Sequence, residues 1–121
     1  MISAYFREVA RRLEDTTIIV DSKIDYKEFS SDEGMIRGTL LFITGHVLEF
    51  MEYVQEDERL KYRFHLMDPA GNLVFRYDNA PHYHLSTFPH HKHLPKGVTE
   101  SREQRLLDDL REIELLVLRI R

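Results

Sequence analysis

The sequence predicts an α+β fold in which a five-stranded antiparallel meander carries an N-terminal and a C-terminal helix on one face, in the order α-β-β-β-β-β-α. Three observations predict it. Helical spacing of apolar residues occurs at the two ends of the chain, alternation of apolar and polar residues fills the middle, and short turn sequences separate the alternating segments. Because the 121 residues contain no repeat or linker, we expect a single domain over residues 1–121.

The two helices are predicted from their apolar stripes. From Ile2 to Glu14 apolar residues follow the i, i+3, i+4, i+7 spacing of an amphipathic helix. The last helix is predicted to follow a capping box formed by Ser101 and Gln104, and its stripe of Leu, Ile and Val extends to Ile120. A stripe this wide suits a helix that lies across one face of a sheet.

Five segments between the helices are predicted as strands. Alternation is cleanest in the segment where Tyr62 and Phe64 alternate with charged residues. Glu52 is expected at the solvated end of a strand. Because the connecting turns are short, the strands should pair with their sequence neighbours as an antiparallel meander. The predicted strands are Ile18–Phe29, Met35–Thr44, His46–Gln55, Leu60–Met67 and Leu73–Tyr77.

Composition excludes several classes of protein. The absence of Cys removes disulfides, thiolate catalysis and zinc–thiolate sites. A net charge of −4 argues against nonspecific coating of nucleic acid, although a local cleft can still handle one. Because no window approaches the ~20 apolar residues of a membrane span, and the N-terminus lacks a signal-peptide pattern, we expect a cytoplasmic protein with no membrane partner.

The segment Phe75–Leu94 is the candidate site, because it holds five of the seven histidines, broken by Pro81 and Pro89. Histidine is the side chain whose ordinary pKa lies nearest neutrality. We expect this segment to leave the fifth strand as a loop and to fold back over the sheet face that bears Arg63 and His65. Such a fold would form a polar cleft of histidines and arginines.

Three interpretations of this cleft remain open from the residues alone. The pairs His82-x-His84 and His91-x-His93, with Asp78, have the spacing of a metal site. Alternatively, two histidines could perform acid–base chemistry on a phosphodiester while Arg or Lys neutralises the developing charge. In the third interpretation the polar residues only shape a chain reversal, since Asp and Asn side chains bond to nearby backbone amides.

Two strings in this segment carry a family resemblance. They are RYDNAPH, residues 76–82, and FPHHKH, residues 88–93, and they follow the strand that contains Arg63 and His65. With them, most of the chain resembles the TumE family, named for toxins of two-component toxin–antitoxin systems. The resemblance implies a toxin that is held inactive by a neighbouring antitoxin, usually a small protein that also binds DNA.

Taken together, the residues and the resemblance predict an intracellular toxin that acts as a metal-independent ribonuclease. Either His91 or His93 is expected as acid and the other as base, with Asp78 orienting one of them and Arg76 and Lys92 binding phosphate. The predicted catalytic residues are His65, Arg76, Asp78, His91 and His93. The predicted substrate-binding residues are Arg63, Tyr77, His82, His90 and Lys92.

The expected partners follow from this hypothesis. They are a cognate DNA-binding antitoxin encoded next to the toxin and an RNA substrate, with no metal and no cofactor, and the sequence leaves a homodimer open. Two alternatives stay open: a non-enzymatic toxin or binding module that blocks a target protein by contact, and a His-ligated metal hydrolase.

Overall fold

The computed structural model describes residues 1–56, 58–81, 85 and 87–120, without the side chain of residue 120. One helix precedes the strands in the sequence and the other follows them. The elements are α1 (Ile2–Asp15), β1 (Ile19–Glu28), β2 (Glu33–Phe42), β3 (Val47–Gln55), β4 (Glu58–Met67), β5 (Leu73–Asp78), β6 (His91–Leu94), β7 (Gly97–Glu100) and α2 (Leu106–Ile120).

The strands form one sheet in the order β1-β2-β3-β4-β5-β6-β7, and every neighbouring pair is antiparallel. The predicted α+β class, the terminal helices and the antiparallel sheet are therefore confirmed, but the predicted count of five strands is wrong because the sheet has seven. The two additional strands, β6 and β7, have four residues each, and Pro95 and Lys96 separate them. Segments this short give little strand signal, and β6 contains no β-branched residue.

Alternation along the strands separates a helix-covered face from an open face. In β4 the side chains of Tyr62, Phe64 and Leu66 are buried, whereas Lys61 and Arg63 are exposed. Buried residues of both helices belong to the same core cluster as these strand residues. Both helices thus cover one face, and we call the other the open face of the sheet.

The first helix is held by its apolar stripe. Ile2, Phe6 and Val9 are buried, in agreement with the predicted spacing. The helix ends at Asp15, because the backbone of the next residue, Thr16, is extended, and the chain then enters β1. Since the β-branched run that begins at Thr16 favours extended backbone, the sequence itself accounts for this boundary.

The second helix begins later than predicted. It starts at Leu106, and the expected capping box does not form because the Ser101 hydroxyl donates to the Arg102 carbonyl. The carboxylate of Glu52, on β3, instead accepts the backbone N–H of Leu106 at 3.0 Å. Glu52 is fully buried, so its predicted place at a solvated strand end is wrong. Alternation in β3 places it on the covered face with Phe50.

Candidate functional site

One row of three side chains crosses the open face on β4, β5 and β6. His65 pairs with Arg76 on the next strand, and Arg76 pairs with His93 on the strand after that. Neighbouring strands lie about 4.8 Å apart, so the guanidinium is flanked by an imidazole on either side. All three side chains are partly exposed. The fold therefore gives solvent access to two imidazoles and one guanidinium in a line.

A second row runs beside the first on the same three strands. Arg63 pairs with Asp78, and Asp78 pairs with His91. Arg63 is exposed, whereas Asp78 and His91 are 7% and 1% exposed. The first row is thus accessible to solvent along its length, whereas the second row is exposed only at Arg63.

The Asp78 carboxylate joins the two rows. Its Oδ1 lies 2.6 Å from His91 Nε2, and its Oδ2 lies 3.4 Å from His93 Nε2 and 3.5 Å from Arg76 Nε. Oδ1 also accepts the Ala80 backbone N–H at 3.1 Å. One carboxylate therefore contacts two imidazoles and a guanidinium, which fixes their positions relative to one another.

His91 has a contact at each ring nitrogen. Its Nδ1 lies 3.0 Å from the Pro89 carbonyl oxygen, opposite the nitrogen that faces Asp78. A carbonyl oxygen can only accept a hydrogen bond, so Nδ1 is the donor in this contact. Both ring nitrogens of His91 thus face oxygen atoms, and the side chain is only 1% exposed.

Burial and the nearby Arg76 guanidinium lower the pKa of the two histidines in the first row, His65 and His93. For His65 the largest cause of the lowered pKa is burial, followed by Arg76, and Glu49 opposes them. For His93 burial is again the largest cause, followed by Arg76, and Asp78 opposes them. Because the ordinary pKa of histidine is about 6.5, both imidazoles are mainly neutral at pH 7 and can accept protons.

Five of the six residues in the two rows, all except His65, line a groove of about 320 Å³. Lys61, Arg63 and Arg76 place positive charge along it, and His91 and His93 form part of its wall. A wider groove of about 650 Å³ extends across β1 to β4 on the same open face, and Arg63 lines both grooves. An extended anionic chain could therefore contact both grooves through this residue.

Two predicted substrate-binding residues lie on the other face of the sheet. Lys92 lies between His91 and His93 in β6, so its side chain points to the helices, where Nζ is 3.2 Å from Glu112 Oε2. The Tyr77 hydroxyl donates to the other Glu112 oxygen at 2.5 Å. The structure does not bring Lys92 and Tyr77 together with the two rows.

The predicted substrate-binding residue His90 contacts the core. His90 stacks on Tyr62, with Nδ1 2.8 Å from the Tyr62 hydroxyl oxygen, and Tyr62 belongs to the core. His82 and His84 lie outside the residues that the structure describes. The predicted loop is replaced at its end by β6, which extends the sheet instead of folding back over it.

The backbone carbonyl of Pro89 contributes to the site by contacting His91, and the sequence did not predict it. No side-chain pattern reports which carbonyl an imidazole will contact. Pro89 and His91 are two residues apart, which allows such a local contact. This spacing could have predicted the contact only if β6 had itself been predicted. The sequence analysis also left open which of the histidines is accessible.

Comparison with known proteins gives a family. The sequence model described as Toxin TumE matches residues 9–119, nearly the whole chain. No curated protein and no solved structure matches. Within the described residues, neither helix has both the length and the hydrophobicity that crossing a bilayer requires. The matched strands include both rows of the site. The chain belongs to the TumE toxin family.

Proposed function

We propose that this toxin is a ribonuclease that cleaves RNA by metal-independent acid–base catalysis on the open face. The observation that carries the proposal is the row His65–Arg76–His93, in which two accessible imidazoles flank a guanidinium. Phosphodiester cleavage needs a proton acceptor, a proton donor and a positive charge between them for the developing negative charge. The membership in a toxin family supports a reaction that harms a cell.

The surroundings of His65 and His93 differ, and this difference assigns a catalytic role to each. Burial lowers the pKa of both histidines, but His65 has no carboxylate within ion-pair distance among the described residues, and its Nδ1 is buried there without a hydrogen-bond partner. His93 Nε2 is 3.4 Å from the Asp78 carboxylate, which favours its cationic form. We therefore assign His65 as the general base and His93 as the general acid.

The reaction uses the ribose 2′-hydroxyl as nucleophile. His65 takes the proton of this hydroxyl, the 2′-oxygen forms a bond to phosphorus, and the bond from phosphorus to the 5′-oxygen breaks. His93 gives its proton to that oxygen, so the products are a 2′,3′-cyclic phosphate and a free 5′-hydroxyl. Arg76 lies between the two histidines and neutralises charge on the phosphorus oxygens.

Binding of the phosphate also favours the protonated form of His93, the general acid. In the free protein burial and, after it, the Arg76 charge lower the pKa of His93, which disfavours the acid form. A phosphodiester anion bound at Arg76 offsets this positive charge, so it raises the pKa of His93 towards neutrality. Protonation of the acid is therefore coupled to substrate binding.

The grooves favour a polymer over a small substrate. Arg63 is exposed, lines both grooves, and has no carboxylate within ion-pair distance among the described residues. RNA bound at Arg76 would extend over Arg63 towards Arg37. We further infer a cytoplasmic toxin whose neighbouring antitoxin, a DNA-binding protein, prevents access of RNA to this face.

Cleavage by purified protein tests the proposal. Toxin freed of antitoxin and assayed with a chelator should cut single-stranded RNA, and should not cut the same oligonucleotide made entirely with 2′-deoxyribose. His65→Gln and His93→Gln should each lower the rate by about 10²–10⁴-fold. His46→Gln is the matched control, because His46 contacts Thr44 away from both rows. Intact RNA with the wild-type protein, or full activity in both His65→Gln and His93→Gln, would disprove the proposal.

A further inference from the structure

Asp78, His91 and His93 place three potential metal-ligand atoms near one point. Two imidazole nitrogens and one carboxylate oxygen lie within 4.8 Å of one another. His91 and His93 are two residues apart on β6, so their rings project from the same face, and Asp78 pairs with His91 from β5. We propose that these residues bind one divalent transition-metal ion and that this ion holds the proposed ribonuclease site inactive.

The contacts of His91 are those of a metal ligand. Because Nδ1 donates to the Pro89 carbonyl, Nε2 is the ring nitrogen that faces Asp78. Metal-bound histidines commonly donate their other ring N–H to a backbone carbonyl or a carboxylate in this way. A bound ion would lie between His91 Nε2 and the Asp78 carboxylate.

The donor set selects the class of ion. Two imidazoles and one carboxylate, with no thiolate in the sequence, suit Zn²⁺ and similar transition-metal ions better than Mg²⁺ or Ca²⁺. Tetrahedral ligands at about 2.0–2.2 Å from zinc lie about 3.4 Å apart. The contact between His91 Nε2 and Asp78 Oδ1, now 2.6 Å, would open by about 0.8 Å. Three protein ligands leave the fourth position to water.

Arg76 gives the site a distinctive property. Its guanidinium contacts Oδ2 of Asp78 at 3.5 Å, which leaves Oδ1 for the ion. The guanidinium charge repels a bound cation at this short range. Removal of this charge should therefore tighten metal binding, whereas removal of a ligand should weaken it.

The inhibitory effect rests on the proposed function. While His93 Nε2 is bound to an ion it cannot also form the cationic acid that protonates the leaving oxygen. The ion also holds Asp78, which positions His93 in the metal-free site. Metal binding and RNA cleavage are then mutually exclusive states of the same side chains.

Titration with Co²⁺ tests the site without measuring activity. Protein without a histidine tag should bind one ion per chain with the intense visible absorption of tetrahedral Co²⁺, and Zn²⁺ should displace it. Asp78→Asn and His93→Gln should weaken binding at least about 10-fold, Arg76→Gln should strengthen it, and His46→Gln should leave it unchanged. Circular dichroism confirms that each variant folds. Absence of tetrahedral Co²⁺, or unchanged affinity in folded Asp78→Asn, would overturn the metal site.

An activity assay tests the inhibitory role separately. One equivalent of Zn²⁺ should suppress RNA cleavage, and a chelator should restore it. Cleavage that requires Zn²⁺ would overturn both the inhibitory role and the metal-independent reaction. If RNA stays intact with and without chelator, the proposed function fails, while the Co²⁺ titration still decides whether the metal site exists.

Discussion

The carboxylate of Glu52 accepts the backbone N–H of Leu106, the first residue of α2, at a distance of 3.0 Å inside the core. The same carboxylate also accepts bonds from the Tyr5 hydroxyl at 2.5 Å and from Arg59 Nε at 3.1 Å. One buried acidic side chain on β3 thus connects α1, β4 and α2. These contacts offset the cost of burying its charge.

Removal of this carboxylate should destabilise the fold severely. Glu52→Ala leaves the Arg59 guanidinium, which is 6% exposed, without this buried partner, and loss of one partner of a buried ion pair costs about 3–5 kcal/mol. Urea denaturation measures the change in the free energy of unfolding. Glu114→Ala is the control because it breaks the half-exposed pair with Arg12, for which we expect a loss of at most about 1 kcal/mol. Equal losses in the two variants would contradict this account.

Asp109 should make the protein less stable as the pH rises. It is fully buried, neither oxygen has a hydrogen-bond partner among the described residues, and burial raises its pKa well above the ordinary value. In the unfolded chain this carboxyl ionises near pH 3.9. Between the two pKa values the folded state holds a proton that the unfolded state has lost, so stability falls as the pH increases.

The variant Asp109→Asn should therefore lose this pH dependence. Its stability relative to wild type should increase from pH 4 upwards, by about 1.4 kcal/mol for each pH unit while the two states differ by a full proton. Thermal or urea unfolding over a pH series measures it, with the exposed Glu8→Gln as control. A constant difference between Asp109→Asn and wild type at all pH values would refute a raised pKa.

Removal of the Arg76 charge should raise the pKa of both accessible histidines. Burial lowers each pKa most, and the guanidinium adds to this effect at His65 and His93. Arg76→Gln should shift both midpoints upwards in an NMR titration of the imidazole C–H resonances. The exposed Lys96→Gln serves as control. Midpoints that stay in place in Arg76→Gln would show that its charge does not control these side chains.

Arg63 and Lys92 should have different effects on RNA binding because they lie on opposite faces of the sheet. Arg63→Met removes an exposed cation from both grooves, so we expect KM to increase about 10-fold. Lys92→Met removes a cation that contacts Glu112 and lies over the Tyr77 ring at 4.7 Å. It should leave KM within about 2-fold while lowering stability by about 0.5–1 kcal/mol. An equal increase of KM in both variants would place Lys92 in the substrate path.

Side-chain periodicity was enough to predict much of the fold. The alternation around Phe64 predicted the covered and open faces, because each second residue of a strand meets the same environment. The same rule predicted that Arg63 and His65 share the open face, and short turns predicted that Arg76 lies beside them. These features depend on local pattern and on sequence order.

Tertiary contacts decided what the sequence could not. Glu52 was misplaced because its buried partners, Tyr5 and Arg59, come from two other elements. His91 and His93 were placed in a loop because β6 is held by its pairing with β5 and β7, not by strand propensity. The orientation of Lys92 follows from that pairing, so it could not be predicted either.

The pairing of β6 with β5 also makes the proposed site sensitive to the loss of a single residue from β6. Deletion of one residue from β6, with the strand still paired to its neighbours, would exchange the faces of the residues beyond the deletion. A histidine would then lie under α2 and Lys92 or its neighbour would lie in the open groove. Such a frame-preserving loss of one codon would remove a histidine from the proposed site without changing the sequence of the five preceding strands. A cell that loses the antitoxin thus has an escape route that needs no loss of the toxin's expression.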